Sequence, residues 1–339
     1  MSDRIKDLLR DAADGVEPGD RLDAIRAATS GRRRTGRGWW AAGGVGLAAA
    51  SVVTALALTT GGTPRGTDPD PASPSPTTSA PTPVETQPPV GIYYIGDTPA
   101  GPRLYREVRT LEGADPLDAA VAAAVGNGPG GPGLLPLDPD YRVPWPSLTQ
   151  AGAALDDTGD VIEIWLGGDP EADLRDRGAL SEQEARLAVE QLVRTAQGVV
   201  GEPLPVRFLL YGELADQVLG VPTSEPLDAG SDLAVLAHVS LSAPSEGERV
   251  DNDEPFTVTG LGNSFEGNIV TRIQRWEGTY VVDQKPAIAG SYEDRLFPFE
   301  VTFDLTDVAP GEYVVISQTD DPSGEGRFDT DTRRITVVD

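Results

Sequence analysis

Few side chains in this 339-residue chain have the chemistry to act on a substrate. There are no cysteines, one histidine (His238) and only two lysines, Lys6 and Lys285, against 25 arginines. Disulfides, thiolate metal sites and cysteine nucleophiles are excluded, and a zinc site or a Ser-His-Asp triad has a single imidazole to draw on. His238 falls in an alternating apolar-polar run, which makes it a satisfied or surface strand residue rather than a base. Lys285 stands beside Pro286 after a predicted strand, a poor frame for a Ser-Lys dyad. Carboxylates are plentiful, so paired carboxylates for glycoside hydrolysis have material to work with, yet each visible cluster reads as turn or solvated surface. Asp320, Asp321, Glu325, Asp329 and Asp331 form an acidic loop between two predicted strands. Calcium takes such oxygen ligands, but the EF-hand spacing is missing, and an acidic hairpin loop is expected. Asp251, Asn252, Asp253 and Glu254 read the same way, and the glycines from Gly126 to Gly133 do not lead from a strand into a helix as a phosphate loop would. No catalytic, cofactor-binding or metal-ligating residue is assigned, and no cofactor is expected.

The elements that would position any site are ordered around one apolar stretch, 39–60, which opens Trp39-Trp40 and runs about 20 residues without a charge. That length spans a bilayer as a helix, the one single-segment structure that satisfies its own backbone in lipid. Arg32, Arg33, Arg34 and Arg37 precede it, and Arg65 is the nearest basic residue beyond it. The positive-inside rule then places a 1–38 tail in the cytoplasm and the bulk of the chain outside, with the two tryptophans at the inner interface. Ala55-Leu56-Ala57 has the look of a processing site, but a leader of 38 residues is atypical of a signal peptide, so an uncleaved anchor is expected. Within 1–38, Ile5, Leu8, Leu9 and Ala12 recur at helical spacing, as in a short solvated helix.

Residues 61–89 hold nine prolines and nine Ser/Thr in 29 positions, a linker composition that favours extended polyproline II. At ~3.1 Å per residue it reaches roughly 90 Å from the membrane. The net charge of −27 divides into +2 over 1–38 and −29 over the remainder. Such an acidic outer portion repels phosphates, which argues against nucleic acid as a partner.

Two modules follow. The first, 90–228, reads as α+β. Strands are expected at 90–95, 104–110, 147–155, 161–166 and 204–211, the last fully buried. A small-residue helix is capped by Asp115 with Pro116 at its first position, and a second helix opens on the capping box Ser181-Glu182-Gln183-Glu184. Helices are expected to pack on one sheet. The run Pro116-Leu117-Asp118-Ala119-Ala120 to Gly126-Asn127-Gly128-Pro129, then VIEIWL, then Leu187 to Thr195, then Pro205-Val206-Arg207-Phe208, resembles the GerMN domain over about residues 90–225. That domain is named after spore germination proteins and also occurs in actinobacterial envelope lipoproteins. The middle strand ends Trp165-Leu166-Gly167 where many members have Asp-Leu-Ser. The resemblance implies a fold related to ring-building modules, with no catalytic residues to carry over.

The second module, 234–339, is all β. Seven strands are expected, at 234–242, 256–260, 267–275, 279–283, 299–305, 313–319 and 333–338. Ser242-Ala243-Pro244, Val258-Thr259-Gly260, Phe265-Glu266-Gly267-Asn268, Phe297-Pro298-Phe299 and Pro310-Gly311-Glu312-Tyr313 resemble the Gmad2 domain, an immunoglobulin-like sandwich found beside GerMN. Together the readings describe a single-pass actinobacterial envelope protein, non-enzymatic, that binds or assembles with another envelope protein or peptidoglycan. The alternative is a signalling protein whose N-terminal helix contacts a cytoplasmic factor.

Overall fold

The computed structural model describes residues 88–112, 115–128, 131–132, 135–168, 173–291, 293–321, 324 and 326–339. The 1–38 tail, the 39–60 stretch and nearly all of the 61–89 linker lie outside the described residues. Among the described residues no helix is long and apolar enough to cross a membrane. Those residues fall within one compact unit that is mostly β-sheet with few helices.

Strands β1 (Val90–Thr98) and β2 (Gly101–Arg109) form a hairpin ribbon paired along its whole length. Helix α1 (Pro116–Ala124) starts where Asp115 accepts the amides of Leu117 and Asp118 and proline fills the first position. Strands β3 (Leu148–Leu155), β4 (Ile162–Gly168), β5 (Val206–Leu210) and β6 (Glu213–Leu214) make a four-stranded sheet in that order, with β4 and β5 parallel. The crossover between them is helix α2 (Glu182–Val200), with the reciprocal Ser181–Glu184 box at its start and left-handed Gly201 at its end.

The expected single sheet is corrected to a ribbon and a sheet, and α2 supplies the reason. The Tyr93 amide donates to Thr195 Oγ1 (3.3 Å), and Gln191 Nε2 donates to the Tyr93 carbonyl (2.7 Å). Side chains of a helix thus satisfy the free edge of β1, where a further strand would otherwise pair. Strand β5 is also not buried throughout: Val206, Phe208 and Leu210 are inside, while Arg207 and Leu209 are half exposed. Short strands β7 (Gln217–Val218) and β8 (Val221–Pro222) turn through Leu219 and Gly220, both in the left-handed region at φ 50° and 76°. That is the hairpin turn matching strand twist, and the amides of Leu219 and Gly220 dock on the carbonyls of Leu174 and Arg175.

The second module starts differently from expectation. Asp232–Val235 is a helical turn, α3, and the first strand, β9, is Val239–Ala243. Leu236 and Ala237 are drawn to the first module instead: Ala237 N–H donates to the Leu104 carbonyl (2.9 Å), and Leu236 packs with Ile95, Leu104 and Leu187. Among the described residues eight strands follow rather than seven. Beyond β9 they are β10 (Glu248–Asp251), β11 (Phe256–Gly262), β12 (Asn268–Arg275), β13 (Val281–Ile288), β14 (Phe297–Phe303), β15 (Gly311–Thr319) and β16 (Thr330–Val338). They form a three-stranded sheet, β9-β11-β14, and a five-stranded sheet, β10-β16-β15-β12-β13. The additional strand β10 pairs parallel to the C-terminal β16, a long-range partner that local pattern does not reveal. Strand β13 runs on through Lys285 and Pro286 because it is an edge strand, where a missing amide costs no ladder bond. Inward residues such as Val258, Ile273, Phe303, Val315 and Ile335 fill the space between the sheets.

Candidate functional site

A cavity in the first module follows the first half of α2 and has a volume of about 630 Å³. Its wall is apolar: Leu187 and Val189 from α2, Val221 and Leu227 from the segment after β5, and Ala234 and Val235 from α3. Its rim carries Glu182 and Asp228 against a single Arg186, which pairs with Glu182 one helical turn away. A network centred on buried Arg194 ties the connection beside the cavity to α2. Arg194 reaches Glu190 Oε1 (2.6 Å), Asp232 Oδ1 (2.6 Å) and the Gly230 carbonyl (2.6 Å), while Gly230 N–H donates to the same Glu190 oxygen (2.8 Å). Burial works against charge on Arg194, but the bonds and fields of Asp232 and Glu190 outweigh it and raise its pKa further. The cavity is therefore pre-formed, because the strand-to-strand connection 227–235 is tied to the helix it faces.

The two modules meet along a polar seam. Arg333, on β16, binds Asp138 Oδ2 (2.5 Å), Asp331 Oδ1 (2.8 Å), Tyr141 Oη (3.0 Å) and the Leu241 carbonyl (3.2 Å). Tyr141 donates to Asp331 Oδ1 (2.7 Å) and stacks on Tyr105 at 5.0 Å, and Tyr105 donates to the Thr330 carbonyl (3.1 Å). Alongside, Arg106 exchanges backbone bonds with the Ser240 hydroxyl and donates from its guanidinium to Ser242. The side chains of Arg333, Asp138 and Asp331 are each only 2% exposed. One guanidinium faces two dry carboxylates, so burial pushes Asp138 up to about 7 despite the Arg333 charge. Burial, then Asp331, raises the Tyr141 phenol well above its usual range. Closed to solvent, these groups act as a structural joint between modules.

The residues weighed from sequence lie apart from both features or serve the joint. His238 Nε2 meets the Leu233 carbonyl (3.1 Å), and its amide donates to Asp329 Oδ2 (2.8 Å). Lys285 donates to the Thr302 carbonyl and lies over the Phe303 ring. Glu325 lies outside the described residues, and the described carboxylates of the acidic loop point to separate partners. Asp321 accepts the amides of Gly326 and Arg327, Asp329 turns to His238, and Asp331 belongs to the seam. Asn252 bonds Val308 and Asp339, and Asp253 closes a turn on Asp251. Among the described residues no group of three or more His, Asp or Glu side chains could hold a metal ion. Sequence reasoning missed Asp138, Tyr141, Glu190, Arg194 and Arg333. One signal was present: Asp331 and Arg333 occupy the same parity of β16 as buried Ile335 and Val337.

Residues 238–325 match the family described as Gmad2, immunoglobulin-like domain of bacterial spore germination. No curated protein matches the chain. Among solved structures, the tandem GerMN domains of the sporulation protein GerM from Bacillus subtilis are 14% identical, with 63% of this chain and 60% of that chain covered and a TM-score of 0.32. This chain thus spans about 60% of the length of that structure. One chain of the crystal structure of Dpr1 IG1 bound to DIP-eta IG1 is 10% identical, with 30% of this chain and 97% of that chain covered and a TM-score of 0.18. Both superpositions are loose, and the identity of the sandwich rests on the family match, which falls inside the eight-stranded module. Residues 238–325, which hold β9 to β15 of the sandwich, are a Gmad2 immunoglobulin-like domain.

Proposed function

We propose that this protein is a non-enzymatic binding or assembly component of the cell envelope. Residues 39–60 anchor it, the 61–89 linker gives it reach, and a GerMN-like module joined to the Gmad2 sandwich faces outward. The observation that carries this reading is the cavity along α2. An apolar trough with an acidic rim suits an apolar segment flanked by basic residues on a partner protein, and the tied connection beside it lowers the ordering cost of binding. The four arginines before the apolar stretch support an N-terminus in the cytoplasm.

Site-specific photocrosslinking in intact cells tests it. A crosslinker at Ala234, on the cavity wall, is expected to trap a discrete protein adduct that Val221→Glu suppresses. A crosslinker at exposed Leu214, on β6, serves as the control. The same adducts from both positions, or none from Ala234, overturn the assignment.

A further inference from the structure

The sandwich carries a second cleft, of about 500 Å³, lined by Arg275, Trp276, Glu277, Pro310, Gly311 and Glu312. It lies where the β12–β13 turn meets the start of β15. The turn is held from several sides. Gln274 Nε2 donates to the Gly278 carbonyl (2.8 Å), Gly278 takes φ 115°, and Trp276 N–H donates to the Glu312 carbonyl (3.0 Å). From β16 the Arg334 guanidinium lies 3.5 Å over the indole, a cation–π contact that fixes the ring plane. Trp276 nevertheless remains 41% exposed, whereas Trp145 is only 7% exposed in the core of the first module. An indole pinned by backbone and guanidinium yet left open to water is a ready-made stacking platform, because little rotamer freedom remains to be lost on binding.

The charges around the platform select the ligand. Arg275 and Arg334 stand against Glu277, Glu312 and Glu246, the last of which faces Arg334, so the site is close to charge balance in a chain of net charge −27. A cation meets the two arginines, and an anion meets the glutamates and the field of the whole chain. A neutral ring with one apolar face and hydroxyls at its edge meets stacking from the indole, acceptors from the carboxylates and donors from the guanidinium. We infer that this cleft binds a neutral glycan, one sugar face lying on the side of the Trp276 ring that Arg334 leaves uncovered. A volume near 500 Å³ falls within the roughly 300–1,000 Å³ typical of small-ligand sites. The inference rests on the envelope reading for where such a glycan is met, but it uses a different module from the α2 cavity.

Calorimetric titration of the full-length protein with chitotetraose and with cellotetraose tests it. Saturable binding to at least one is expected, and binding to the N-acetylated sugar alone marks an amino-sugar polymer. Trp276→Ala is expected to weaken binding by about tenfold or more, the worth of one good aromatic contact. Glu312→Gln, which keeps the fold and the indole, is expected to weaken it less, and Val221→Glu in the α2 cavity to leave it unchanged. Equal affinity of wild type, Trp276→Ala and Glu312→Gln overturns the site, as does saturable binding to neither sugar. Loss of binding in Val221→Glu with retention in Trp276→Ala moves sugar binding to the α2 cavity.

Discussion

Asp138 sets the most specific expectation at the scale of single residues. Its carboxyl is raised from an ordinary 3.8 to about 7 by burial. Between those values the native state holds a proton that the unfolded chain has released, so this group's stabilising effect falls as pH rises through the window. Above it the effect is constant. Urea unfolding from about pH 4 to about pH 8 is expected to show that decline in wild type and its absence in Asp138→Asn. Removing the shared cation is costlier. Arg333→Met leaves Asp138 and Asp331 buried without a counter-charge, and a loss of roughly 3–5 kcal/mol is expected. A smaller contact shows how tightly α1 is seated. A Cβ added to Gly152 on β3 would collide with Asp118 Oδ1 and stand 2.8 Å from the Trp165 ring. Gly152→Ala is expected to cost about 1–3 kcal/mol, and Asp118→Ala in the same chain to recover part of it in a double-mutant cycle.

Among the elements, α2 does the most positioning. Its capping box starts it, its buried face packs the core of the first module, and two of its side chains close the edge of β1. Gln191 is fully buried and spends its amide on the Tyr93 and Ala124 carbonyls while accepting from Trp145 Nε1. Ser181→Ala, at the exposed start, is expected to cost about 1 kcal/mol and leave the fold intact. Gln191→Leu is expected to cost more, because it strands a buried carbonyl pair and an indole donor together; urea unfolding of both variants gives the comparison. The caps of α1 and α2 were legible because Asp-Pro and Ser-x-x-Glu act within a few residues of themselves. The edge-closing role of Gln191 and Thr195 was not, since their partner lies about a hundred positions away.

For the whole molecule the seam decides behaviour. The two modules share the Arg333 cluster, the Arg106–Ser240 exchange and the Ala237–Leu104 backbone bond. A single cooperative thermal transition is expected for wild type, and calorimetry of Arg333→Met is expected to resolve two. A single transition in the variant would show that the apolar contacts of Leu236 suffice to couple them.

The sequence alone determined what depends on composition and short range: the absence of thiol chemistry, the acidic balance of residues 39–339, the capped helices, and a β-rich C-terminal module resembling Gmad2. It also gave the apolar span and the linker as expectations, both outside the described residues. Tertiary structure alone decided which strands pair with distant partners, such as β10 with β16, and how α2 divides a ribbon from a sheet. It also decided which carboxylates leave the surface. Asp331 counts as one more acid in an acidic loop until β16 turns it inward beside Arg333. Its role is set by a guanidinium two residues along the strand and by a tyrosine and a second aspartate nearly two hundred positions away. Charge at such separations acts only after the chain has folded, so no local pattern announces it.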